Sequence, residues 1–374
     1  MKRIAALDML RGYALVCIMM DHMPVAALRD YTLANYQLFD AAELFVLLSG
    51  FLVGLVWIRI EARDGRGAAR RRFLRRSFTV WRALLIGAVL MALLSAVLLA
   101  FGFNHTAIWN AYAEMILTRP IWYLMAVGSL WMNPNLLDVL ALYVILIALT
   151  PFLMPLLLRW PVRFFAVSIL IWLLAREINP LIPNHRAGLG FVFNPFGWQL
   201  LFFAGAAMGV WREPLMARLL PWRRWLTPAA IAIALFGLAA VVAEDYLPLE
   251  GAFRSALRFV HGPIDKWSLD GWRFLSILAA AWLVAVPWAT VFERMAATRP
   301  GLALAEIGRG GLLSFVACVL LSVVGDALHM KMPYFASGVL IDIALILTLW
   351  VIASWWLQRG RLKASPRVAA TAGS

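Results

Sequence analysis

Long apolar runs alternate with short polar stretches along almost all of this 374-residue chain. A membrane-crossing helix needs about 20 consecutive, mostly apolar residues. By that measure the runs at 9–28, 43–60, 83–103, 136–158, 163–181, 196–212, 226–243, 271–289, 302–324 and 335–357 predict about ten transmembrane helices. The fold class expected is therefore all-α, a polytopic integral membrane protein with one membrane domain over 1–363. Residues 104–135 are apolar enough for an interfacial helix, a re-entrant helix or a short further span. No repeat of fixed period is evident. The small, polar tail from Ala364 to Ser374 is expected to be a disordered cytoplasmic extension.

Composition agrees with the pattern. Hydrophobic residues make up 63% and charged residues 14%, and the mean hydropathy is +0.82. Soluble domains are about half apolar and a quarter charged, so this chain needs a bilayer around it. The net charge of +14 invites a nucleic-acid reading. However, the Lys and Arg residues sit in short runs between apolar segments, where membrane proteins keep cytoplasmic anchors, and no nucleic-acid partner is expected. Such runs also suit anionic lipid headgroups. With both termini inside, 23 of the 34 Lys and Arg residues fall in cytoplasmic segments and eight in the opposite loops. Lys2 and Arg3 followed by an apolar stretch resemble a signal peptide, but Asp8, Arg11, Asp21 and His22 interrupt it, so it reads as a retained first helix. Cys17 and Cys318 lie far apart in apolar stretches and suggest neither a disulfide framework nor a zinc site.

Ionisable groups inside a bilayer cost roughly 2.5–3.5 kcal/mol each on insertion scales and persist mainly where they pair or work. The first helix is densest in them. Arg11 and His22 are eleven positions apart, so they differ by roughly 20° around a helix and by about 16 Å along it. Asp8 shares their face. Arginine at the inner end suits an anionic cofactor, and histidine further in suits a general base. The alternative is an anchoring arginine and a histidine at the helix end. Asp40 and Glu43, one turn apart, are suited to binding sugar hydroxyls or to orienting His22. Capping of the second helix explains Asp40 equally well, and Glu43 less well. Arg71, Arg72, Arg75 and Arg76 share a helical stretch with Arg70. They are placed either to grip coenzyme A phosphates or to mark a cytoplasmic loop.

Further candidates are Asp138 and Tyr143, then Asn194, Trp198 and Gln199, and finally Lys266 and Arg273 beside the eighth span. Interfacial aromatic belts and an Asn-Pro helix start account for several of these as well. His105, His185, His261 and His329 fall in or beside expected outer loops without metal-ligand spacing, so no metal site is expected.

The stretch from Leu7-Asp8 through Arg11-Gly12 to Asp21-His22 resembles the Arg, ten residues, His pattern of the transmembrane acyltransferase-3 superfamily. Within that group the chain is similar to the OpgC family, the succinyltransferases of osmoregulated periplasmic glucans. The likeness is carried by Phe39-Asp40-Ala41-Ala42-Glu43 through Ser49-Gly50, by Leu137-Asp138 through Tyr143, and by Phe193-Asn194-Pro195-Phe196-Gly197-Trp198-Gln199. The arginine run from Arg71 to Arg76 resembles the family's basic motif. Lys266 to Arg273 is a looser match, and Gly308 and Ser314 match a late helix. Ala141 stands where the family has proline, which bears on local helix shape.

The resemblance implies an enzyme of the bacterial inner membrane. It would transfer a succinyl group from cytoplasmic succinyl-coenzyme A, a donor substrate rather than a bound cofactor, to hydroxyls of periplasmic glucans. By that likeness His22 is the base. Arg11 and the arginine cluster hold the donor, and Asp40, Glu43 and Asp138 line the acceptor route or tune His22. Arg273 is the candidate for the donor's free carboxylate. Two other readings stay open: an acetyltransferase of another cell-surface polysaccharide, and a non-enzymatic transporter of an anionic lipid or sugar. Oligomeric state is not legible in the sequence.

Overall fold

The computed structural model describes residues 5–185, 190–245, 266–332 and 334–369. Among these residues there are helices and no strands. His261 and the end of the expected tail, 370–374, lie outside the described residues. The helices are α1 (Ala5–Asp21), α2 (Ala41–Ala100), α3 (Ala111–Thr118), α4 (Pro120–Gly128), α5 (Asp138–Arg159), α6 (Pro161–Leu173), α7 (Ala175–Ile178) and α8 (Pro195–Val210). After them come α9 (Arg212–Leu219), α10 (Arg223–Asp245), α11 (Gly271–Ala285), α12 (Ala289–Ala297), α13 (Arg299–Gly310), α14 (Leu312–Lys331) and α15 (Phe335–Ala369).

The expectation of about ten spans is corrected. Among the described residues five helices are long and apolar enough to cross a membrane, or up to seven if two bent pairs each count as one span. This fits a membrane protein. The count falls because sequence windows average across backbone breaks. The runs 43–60 and 83–103 lie on one helical stretch, α2, interrupted at Gly65 (φ 79°, ψ 167°). The runs 163–181 and 271–289 bend by 58° and 74°. Gly311, at φ 61°, splits 302–324 into α13 and α14. The first run yields a helix of 17 residues and the sixth one of 16. In 104–135 stand α3 and α4, of eight and nine residues. At about 1.5 Å per residue neither is long enough to cross. Ala141, the position of the absent proline, lies within an unbroken first stretch of α5.

The chain divides into two compact units. The first comprises Met1–Thr32, Val97–Ala107 and Trp288–Ser374, and the second Leu33–Ala96 and Ile108–Pro287. In the first, α1 lies against α13 with almost no side chain between the backbones. A Cβ on Gly12 would fall 1.8 Å from the Leu304 carbonyl oxygen, and one on Gly308 would fall 2.0 Å from that of Asp8. α14 then bonds back to α1: Cys318 Sγ donates to the Leu15 carbonyl at 3.2 Å and Ser322 Oγ to that of Met19 at 3.3 Å. Buried carboxylates tie the remaining segments. Asp342 meets His329 Nε2 at 2.8 Å and accepts the Leu28 N–H at 2.8 Å. Asp326 accepts from the Thr106 and Ala107 amides.

The second unit uses the same device between α2 and α8. Gly50 and Gly54 face the Phe202 and Ala206 carbonyls, while Gly205 and Gly209 face those of Leu47 and Phe51. The two pairs are four residues apart on each helix. Small residues at this spacing let apolar helices approach closely without a polar driving force. Gly205→Leu places a side chain where a Cβ already meets the Leu47 carbonyl oxygen at 2.4 Å. Overpacking of this kind costs about 1–3 kcal/mol or more. The variant is expected to show a clearly lower midpoint of thermal unfolding in detergent, and an unchanged midpoint would refute the close packing of α2 on α8.

Candidate functional site

The residues Asp40-Ala41-Ala42-Glu43 form a reciprocal cap at the start of α2. Asp40 Oδ1 accepts the Ala42 N–H at 2.7 Å, and Glu43 Oε2 accepts the Asp40 N–H at 3.0 Å. Each carboxylate thereby satisfies an amide that the helix leaves without a partner. Capping therefore applies to Glu43 as well as to Asp40. It uses only one oxygen of each.

The other oxygens hold cations. Asp40 Oδ2 lies 2.6 Å from Lys266 Nζ and 3.2 Å from Arg273 Nη2, and Glu43 Oε1 accepts from Arg273 Nε at 2.6 Å. Two carboxylates thus face two cations, with Glu43 fully buried and Arg273 12% exposed. Burial alone would raise the Asp40 pKa. The charges of Lys266 and Arg273, with hydrogen bonds from the surroundings, outweigh it and hold Asp40 well below the usual carboxylate range. Desolvation pulls Lys266 down, but Asp40 and Glu43 raise it above the ordinary lysine value. Arg273 is engaged by these carboxylates. Lys266, with 36% of its side chain exposed, is the more accessible cation. Linear reading gave it little weight, because 230 residues separate Glu43 from Arg273 and no local pattern links them.

The other candidates in this unit build the cluster's support. Asn194 caps α8 by accepting the Phe196 N–H at 3.0 Å, and its Nδ2 donates to the Ala175 carbonyl and to Ser268 Oγ. Trp198 Nε1 donates to the Trp267 carbonyl at 2.9 Å. Together these pin the segment that carries Lys266. Gln199 pairs with Ser168 of α6 through two contacts of 2.7 and 2.8 Å. The Tyr143 hydroxyl donates to the Phe45 carbonyl at 3.0 Å and so joins α5 to the first turns of α2. Asp138, half-buried, starts α5. Asn194, Trp198 and Tyr143 are buried and direct polar atoms to the protein backbone.

On the middle of α2, Arg71, Arg72, Arg75 and Arg76 are all exposed, while Ala69, Phe73, Ser77 and Val80 turn inward. The run is thus one face of an amphipathic helix. In the first unit, Asp8 and Arg11 of α1 are half-buried. His22 follows the last residue of α1, and its Nδ1 is hydrogen-bonded to the Ile18 carbonyl. A carbonyl oxygen only accepts, so Nδ1 carries the hydrogen, and in the neutral ring Nε2 is the basic nitrogen. Outside both groups, His185 bonds through Nδ1 to the Trp131 carbonyl at 3.2 Å.

Removing one partner of a buried ion pair strands the other and costs about 3–5 kcal/mol. Arg273→Met is expected to destabilise the protein on that scale, whereas Lys266→Met, at the open edge, should cost much less. Equal thermal midpoints for the two variants would refute this ranking. The pH dependence follows from the signs above. Asp40 has a lowered folded pKa, so its stabilisation is present above the ordinary value of 3.8 and is lost as pH falls below it. Thermal scans should therefore decline on the acid side, and Asp40→Asn should flatten that decline.

Comparison with known proteins gives one result. A family model described as OpgC protein matches residues 3–360. No curated protein and no solved structure matches the chain. That family suggests an acyltransferase of periplasmic glucans. With a match over nearly the whole sequence, and with the Asp-Ala-Ala-Glu cap and the first-helix histidine inside it, the chain belongs to the OpgC family.

Proposed function

We propose that this protein sits in the bacterial inner membrane as a multi-pass enzyme. It moves a succinyl group from cytoplasmic succinyl-coenzyme A to hydroxyls of periplasmic glucans. Family membership supports acyl transfer to a glucan. The observation that carries the reaction type is the His22 hydrogen bond: with Nδ1–H committed to the Ile18 carbonyl, Nε2 is poised to take a proton.

In the proposed step Nε2 removes the proton from a glucan hydroxyl as its oxygen attacks the thioester carbonyl carbon. The carbon–sulfur bond breaks, the coenzyme A thiolate leaves, and the imidazolium returns the proton to it. The products are a glucan ester and free coenzyme A. Arg11 and the exposed arginines Arg71, Arg72, Arg75 and Arg76 are assigned to the donor's phosphates, which guanidinium forks bind in a bidentate manner. Asp40, Glu43 and Asp138 are assigned to the acceptor route. Arg273 is already held by two carboxylates, so the accessible Lys266 takes over the role of meeting the donor's free carboxylate. Asn194, Trp198, Gln199 and Tyr143 act as positioning residues. Membrane lipid is a further partner.

General-base catalysis contributes about 10²–10⁴-fold. His22→Ala is expected to lose turnover by at least the lower of these factors while still binding donor. Full product formation by that variant would end the catalytic proposal and favour transport without chemistry. Replacing Arg75 and Arg76 together by Gln should raise the apparent KM for the donor several-fold. Unchanged donor affinity would return the run to a topological role. Assays with succinyl- and acetyl-coenzyme A, read by mass spectrometry of the glucan, test the acyl group: exclusive acetyl transfer would overturn the donor assignment and leave the reaction class standing.

A further inference from the structure

One loop of the second unit combines unsatisfied polarity, backbone strain and aromatic surface. Asn133 is 4% exposed, and among the described residues neither its Oδ1 nor its Nδ2 has a hydrogen-bond partner. Leu130 and Leu136, on either side, hold left-handed backbone with φ of 61° and 72°. Around this loop the rings form a chain. Trp122 meets Trp131 at a centroid distance of 5.9 Å, Trp131 meets His185 at 6.0 Å, His185 meets Trp109 at 6.4 Å, and Trp109 stacks on Tyr112 at 5.8 Å. The backbone is tied in as well: the His185 N–H donates to the Trp131 carbonyl at 2.9 Å. Even so, Trp109, Trp122 and Trp131 remain 45%, 41% and 39% exposed.

Each of these features is costly. A buried amide without partners costs about 1–3 kcal/mol, and a non-glycine residue in the left-handed region costs about 1–3 kcal/mol. An interfacial belt facing lipid accounts for exposed tryptophans. It does not account for a buried, unsatisfied amide between two strained leucines. A bound ligand accounts for all three. The ligand must offer a flat apolar face to indole rings and neutral donors and acceptors to an amide. The indole rings and the amide carry no formal charge, which disfavours an anionic donor or headgroup. A pyranose ring meets these conditions, with its axial C–H face on one side and hydroxyls around its rim.

We propose that Trp109, Trp131 and Asn133 form a stacking platform for glucose rings of the acceptor glucan. This rests on the glucan acyltransferase reading and extends it to a named binding surface. The position is consistent, because the loop runs directly into α5. The first turns of α5 are bonded through Tyr143 to the Phe45 carbonyl. The platform therefore lies at the same end of the second unit as Asp40, Glu43 and Arg273.

The test uses the full chain in nanodiscs, without donor, titrated calorimetrically with a neutral β-linked gluco-oligosaccharide. Trp109→Ala and Trp131→Ala are each expected to weaken binding about tenfold, as for an aromatic anchor, with Trp131→Phe retaining most of the affinity. Asn133→Leu removes an unsatisfied amide, so its thermal midpoint should equal or exceed that of the parent while its sugar affinity falls. A residue needed only for folding would do the reverse. In turnover assays the same variants should raise the KM for glucan and leave the KM for donor unchanged. Wild-type sugar affinity in both Trp→Ala variants would overturn the platform and leave the acyltransferase standing, as would a lowered midpoint with normal affinity in Asn133→Leu. Oligosaccharide binding by a parent protein that transfers no acyl group from succinyl- or acetyl-coenzyme A would instead overturn the enzymatic reading alone.

Discussion

Two carboxylates cannot stand buried side by side at the start of a helix unless cations meet them. In this protein Glu43 is fully enclosed and Asp40 nearly so, and the guanidinium of Arg273 reaches both. The arrangement fixes more than charge. Each acid also caps α2, so the fork of Arg273 ties the beginning of α11 to the beginning of α2. Asn194 then holds the Lys266 segment against α8 through Ser268. Several helix N-termini thereby collect in one region of the second unit, where their partial positive charge favours anionic groups. A cluster serving the structure in this way still leaves one edge, at Lys266, partly exposed.

The packing around the cluster follows from the apolar surroundings. Helices in lipid gain nothing by burying leucine against leucine, so they depend on close backbone approach and on hydrogen bonds between helices. Gly50, Gly54, Gly205 and Gly209 supply the approach for α2 and α8, and Gly12 with Gly308 does so for α1 and α13. Cys318 and Ser322 supply side-chain bonds to α1 carbonyls. The seam on α1 also fixes the helix whose last turn carries Ile18. That carbonyl in turn sets which nitrogen of His22 is basic.

The aromatic loop follows a different logic. Polar groups inside proteins are nearly all satisfied, and each exception calls for a physical explanation. Among the described residues, Asn133 between Leu130 and Leu136 is such an exception, two positions from the partly exposed Trp131.

The sequence by itself determined the all-helical class and the need for a bilayer, because both rest on summed hydropathy and on charge placement, which are local. It also offered helix starts at Asp40 and Asn194 and a helical grouping of the arginines on α2, since capping and i, i+4 spacing are read within a few residues. The number of spans was not legible. Bends at Gly65, Gly311 and between α11 and α12 leave hydropathy almost unchanged while dividing or redirecting the chain. The tertiary structure alone decided which cations meet Asp40 and Glu43, which glycines face carbonyl oxygens, and that Asn133 is buried without a partner among the described residues. Each of these depends on atoms far apart along the chain whose meeting is fixed by packing, and no local periodicity records it.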